Sequence, residues 1–130
     1  MLEWVRKELL YTASTSIVKK VKGKMRLYYL IAGRGNDAVT PDQEDLDRYK
    51  RGKLTSKGFM LNYRAKLLRP EAEEWMRRVA SEATSKDVVL VSKGETGEFC
   101  YRILLAELML NMYSGQMNLR YMGELKESES

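Results

Sequence analysis

The chain has 130 residues, 44% hydrophobic and 32% charged, enough to bury the core of one domain without staples. It contains no histidine and one cysteine, Cys100, which excludes Ser-His-Asp and Cys-His catalysis within one chain, His-ligated zinc and an intramolecular disulfide. The formal net charge of +5 favours anionic partners, and no apolar run approaches the ~20 residues that span a bilayer, so no membrane partner is expected.

At the amino terminus Glu3, Trp4, Arg6 and Glu8 interrupt the apolar core that a secretory signal needs, and a cytoplasmic protein is expected. Residues 9–13 read as a first strand and 25–32 as a longer one, rich in aromatic and β-preferring side chains and ended by Gly33 and Gly35. The connection, 14–24, reads either as a short helix with Ile17, Val18 and Val21 on one face or as a hairpin through Lys22-Gly23. Spacing alone favours the hairpin.

Thr40-Pro41-Asp42 then signals a helix start, with Thr40 as cap, Pro41 in the first turn and an end near Gly52. Thr55 or Ser56 caps a second helix in which Phe59, Met60, Tyr63 and Leu67 recur at three- and four-residue spacing, running to Leu68. Pro70 opens a third, with Trp75, Met76, Val79 and Ala83 as its apolar stripe, ending near Ser85. Residues 87–91 form an apolar run of buried-strand character, 96–113 a long helix closed at Gly115, and 117–122 a last strand. The polar tail from Glu124, above all the acidic end 126–130, is expected to be disordered, leaving 1–125 as a single α/β domain. Strands separated by helices, with near-continuous apolar character at 88–91, predict a three-layer α/β fold, a mostly parallel sheet of about four strands covered by helices on both faces.

Charge is unevenly placed. Between residues 9 and 36 there are six basic side chains and no acid, and between 48 and 69 there are eight basic side chains, again with no acid. Fourteen of the 23 basic residues therefore lie in two windows, which folded onto one face would attract phosphates. Few Cys and His beside many Lys, Arg and Glu is also a composition seen in heat-adapted proteins.

Two blocks carry a resemblance. One is the Leu46-Asp47-Arg48-Tyr49-Lys50 segment with Phe59, Tyr63 and Leu67. The other is Asp87-Val88-Val89-Leu90-Val91 leading to Cys100-Tyr101-Arg102 and the helix through Leu108. With a weaker match at 30–34, the chain resembles family 488 of the domains of unknown function over roughly residues 9–110. The family's pattern has Cys-His-Arg at the head of that helix and Asp-Val-Arg at the end of the earlier strand. Here Tyr101 stands for the histidine and Ala32-Gly33 for the Asp-Val, so only Cys100, Arg102 and Arg34 carry over. The resemblance implies a three-layer α/β fold and no established activity.

The candidate site lies where the 87–91 strand runs into the following helix, because ligands of open α/β sheets bind outside the carboxyl ends of strands. Arg34, Lys93, Thr96 and Arg102 are its candidate ligand-binding residues, Arg102 as a guanidinium fork and Lys93 as a point charge. Two of them have a plainer reading: an ion pair of Arg102 with Glu98, a solvated turn for Arg34. Arg48, Tyr49, Lys50, Arg51 and Lys53, a basic and aromatic mix, are candidates for stacking on a base and holding its backbone. Cys100, beside Arg102, is a catalytic candidate through a lowered thiol pKa, although a lone cysteine in a helix is more often a small buried apolar residue. No metal or cofactor motif is present, and the Lys93-Gly94-Glu95-Thr96-Gly97 turn is not a Walker loop. The expected function is a binding module for a phosphate-bearing ligand, a nucleotide or nucleic acid. The alternatives are a small Cys100 enzyme and a structural domain using Met109, Met112, Met117 and Met122 at an interface.

Overall fold

The structure is a computed structural model that describes residues 9–15, 25–93, 101–117 and 119–125. Four strands, β1 (Leu10–Ser14), β2 (Arg26–Tyr29), β3 (Val88–Ser92) and β4 (Tyr121–Glu124), form one sheet in the order β2-β3-β1-β4. All three pairings are parallel. β3 is wholly buried, which its Val-Val-Leu-Val run requires of a central parallel strand.

Because β1 and β2 are parallel and both flank β3, they do not form a hairpin with each other. The pairing-back of Ile17–Val21 concerns residues outside the described set. β2 is shorter than the sequence suggests, because the chain leaves the sheet after Tyr29. Asn36 Nδ2 takes the Tyr29 carbonyl at 2.9 Å, and Gly33 and Gly35 turn the chain at φ values of +82° and +87° that suit glycine.

After a 3-10 turn at Asp37–Val39, helices α1 (Gln43–Lys50), α2 (Ser56–Leu67) and α3 (Pro70–Glu82) join β2 to β3, and α4 (Tyr101–Met117) joins β3 to β4. Both connections move the same way across the sheet, so like-handed crossovers lie on one face. Tyr63, Trp75, Met76, Val79, Leu105 and Met109 accordingly share one core with Leu10, Val88 and Leu90. The sheet is closed on its other face too, where Ala13, Val89 and Val91 are fully buried. The fold is the expected three-layer α/β arrangement.

Several ends differ from the sequence reading. α1 begins at Gln43, not after Thr40, because the Thr40 hydroxyl donates to Asn36 O at 2.7 Å and Pro41 and Asp42 remain outside the helix. α4 passes through Gly115, where an exposed glycine costs about 1 kcal/mol but does not end a helix secured by packing. Its predicted start at Thr96 lies outside the described residues. The last strand is Tyr121–Glu124, later than expected, so Glu124 is not part of a loose tail; residues 126–130 lie outside the described set.

Thr55 caps α2 as expected, its hydroxyl accepting the Gly58 N–H at 3.0 Å. Thr55→Ala should lower stability by about 1 kcal/mol, read as a lower urea midpoint at unchanged slope. Among the described residues no helix is long and apolar enough to cross a membrane, and no group of three or more His, Cys, Asp or Glu could hold a metal ion.

Candidate functional site

The carboxyl ends of β2 and β3 open into a cavity of about 350 Å³. One wall is the chain leaving β2, from Leu30 to Ala32; the opposite wall is α1, through Gln43, Leu46, Tyr49 and Lys50. Phe59 of α2 and Tyr101, the first described residue of α4, complete an aromatic side, and Lys93 stands just past the end of β3.

The aromatic side is held in place by its own contacts. Tyr49 stacks on Phe59 with centroids 5.3 Å apart and planes at 15°, while Tyr101 meets Phe59 and Tyr63 edge to face at 6.3 and 5.7 Å. Tyr101 Oη donates to the Leu30 carbonyl at 2.8 Å, tying α4 to the chain leaving β2. Burial, and then the neighbouring Tyr101, hold the Tyr63 hydroxyl well above its ordinary range, so it stays a neutral donor to Val39 O. Lys66 braces the far rim, donating to Thr40 O at 2.6 Å and to the Asp42 carboxylate at 2.9 Å. The asparagine, tyrosine and lysine side chains thus fix a rigid frame, and Lys50 and Lys93 are the ammonium groups that line it.

The structure separates the residues that the sequence grouped. Lys93, Tyr49 and Lys50 line the cavity, whereas Arg48, Arg51 and Lys53 are exposed nearby without lining it. Arg102 is fully buried. Its Nη2 and Nε donate to the two Glu124 carboxylate oxygens at 2.6 and 3.0 Å, and its Nη1 donates to Ser92 Oγ at 2.9 Å. Its place is therefore in an interior ion pair joining α4 to β4. Arg34 lies on the other side of the 30–36 loop, its guanidinium 4.5 Å above the Tyr29 ring. Thr96 and Cys100 lie outside the described residues.

Sequence reasoning did not single out Gln43 or Thr40 as lining residues, nor Glu124 as the partner of Arg102. Glu124 carried no signal, because only the β1–β4 pairing brings it beneath α4. Of the methionines considered for an interface, Met109 belongs to the core and Met122 is exposed. No family model, curated protein or solved structure matches the chain.

Proposed function

We propose that the chain binds a phosphate-bearing ligand, a nucleotide or a nucleotide unit of a nucleic acid, in the cavity at the carboxyl edge of the sheet. The observation that carries this reading is an aromatic-sided cavity of about 350 Å³ with a lysine from each of two elements on its lining. Its volume falls in the range of small-molecule sites, its apolar wall suits a planar base, and Lys50 and Lys93 suit phosphate oxygens. Gln43 and Thr40 supply the few polar groups that fix orientation. Its position outside the carboxyl ends of parallel strands is where open α/β sheets bind ligands. The kinship with family 488 is retained as a proposal on the two sequence blocks that carry it.

Calorimetric titration with nucleosides, nucleotides and short single-stranded DNA and RNA tests this reading. Nucleotides should bind more tightly than the corresponding nucleosides, and their affinity should fall as salt rises from about 50 to about 200 mM. Lys50→Ala and Lys93→Ala should each weaken nucleotide binding about tenfold, the worth of one charge-assisted contact. Nucleosides that bind as well as nucleotides would remove the phosphate from the proposal, and affinities unchanged in both lysine variants would remove the cavity.

A further inference from the structure

Among the described residues β2 is an edge strand, hydrogen-bonded to β3 alone. Beside it lies a second recess, also of about 350 Å³, whose lining includes three arginines from three places in the fold: Arg26 of β2, Arg34 of the loop after it, and Arg78 of α3. Two of them are held against aromatic faces. Arg26 Cζ lies 4.5 Å from the centre of the Tyr28 ring and Arg34 Cζ 4.5 Å from that of Tyr29. A guanidinium stacked on a ring keeps its in-plane N–H groups pointing outward. The rings are themselves fixed: Tyr28 meets Trp75 edge to face at 5.4 Å and donates to Glu82. Asn36 completes the lining and locks the loop, its Oδ1 accepting the Trp75 indole N–H at 3.0 Å.

Three arginines on the lining of one recess favour an anion there. The structure provides little: Glu82 reaches Arg26 at 3.7 Å and is shared with Lys86 at 3.5 Å. Arg34 and Arg78 pair with no carboxylate among the described residues. We propose that this recess is a second anion site, built for a phosphate group. A phosphate monoester brings a charge of roughly −1.5 to −2 and three acceptor oxygens to guanidinium forks, where a carboxylate brings one charge and two oxygens.

The recess shares no lining residue with the lysine-bearing cavity, and stands or falls apart from it. The two are nonetheless neighbours along the chain: Tyr29 lines the recess and Leu30 the cavity, and Ala32 of the cavity and Arg34 of the recess are at most about 7.6 Å apart between Cα atoms. The phosphate is therefore either that of a free pyrophosphate-like anion or that of the backbone of a strand crossing the loop.

The test is calorimetric titration of the full chain with pyrophosphate and, separately, with single-stranded DNA and RNA, for wild type and for Arg34→Ala, Arg78→Ala and Arg34→Lys, each also made in the Lys50→Ala, Lys93→Ala double variant. Arg34 and Arg78 are exposed, so their variants should keep the wild-type melting temperature. In the Lys50→Ala, Lys93→Ala background, where the cavity's own phosphate contacts are gone, pyrophosphate affinity should fall about tenfold or more when Arg34 or Arg78 is changed to alanine. Arg34→Lys should recover only part of the loss, because it keeps the charge but not the fork or the ring stack. Pyrophosphate binding that meets this pattern, with oligonucleotide binding insensitive to the arginines, assigns the site to a free anion. Oligonucleotide binding weakened by both arginine variants assigns it to a strand. Failure of the Lys50→Ala, Lys93→Ala protein to bind either probe, or binding of both that survives Arg34→Ala and Arg78→Ala in that background, overturns the proposal, whatever becomes of the lysine cavity.

Discussion

Glu124→Ala should destabilise the protein by about 3–5 kcal/mol, a melting temperature lower by something on the order of 10 °C. The reason is what remains behind. Arg102 is fully buried and cannot reach water when its partner is removed. The Glu124 side chain is only 7% exposed, and it closes a network rather than a single contact. Thr12 Oγ1 donates to Glu124 Oε1 at 2.7 Å and stands 2.8 Å from Tyr121 Oη, which is then the donor to Thr12. No buried side-chain nitrogen or oxygen among the described residues lacks a partner, so the network has no slack to absorb an orphaned guanidinium. Glu124→Gln, which keeps one acceptor, should cost less, and replacing both residues, Arg102→Met with Glu124→Leu, should restore much of the loss because no charge is then buried. Urea unfolding of the four proteins measures this. A loss below about 1 kcal/mol in Glu124→Ala would mean that solvent already reaches the pair.

Trp75→Ala should be comparably severe, about 3–5 kcal/mol, because it removes the largest side chain between α3 and the sheet. Trp75 is 3% exposed and packs against Tyr28. Its indole N–H also satisfies Asn36, which in turn holds the Tyr29 carbonyl. Trp75→Phe separates the two roles: most of the ring volume stays while the N–H goes, and the expected loss is about 1–2 kcal/mol. In that variant the backbone amides of residues 33–36 should exchange hydrogen faster while those of β3 keep their protection. Unchanged exchange at 33–36 would show that the loop is held without the indole.

Much of the fold was legible because it depends on local chemistry. The Val-Val-Leu-Val run of β3, the Phe59–Tyr63–Leu67 spacing of α2, the Thr55 cap and Pro70 at the head of α3 each state their structure within a few residues. What escaped depends on contacts remote in sequence. Thr40 looks like a cap, but its hydroxyl is engaged four residues back. Glu124 looks like the start of a polar tail until β4 pairs with β1. The candidate site divides in the same way. Tyr49, Lys50 and Lys93 were legible because each stands at the end of an element beside the sheet's carboxyl edge. Arg34 was noticed for its flanking glycines, yet its neighbours Arg26 and Arg78 were not, because nothing local joins a strand start, a loop and the side of a helix.

The sheet order also sets a timetable. β1 lies between β3 and β4, and the bond from Thr12 to Glu124 joins residues 112 apart in sequence. During synthesis at roughly 5–20 residues per second, β1 waits on the order of ten seconds before its second neighbour exists. Through that interval its apolar, unpaired edge is a template for another chain. Arg102 is likewise synthesised 22 residues before the carboxylate that neutralises it. Refolding in vitro should therefore be slow for a chain of this size, as parallel, non-local pairing is, and the last protection gained should be at β1 and β4.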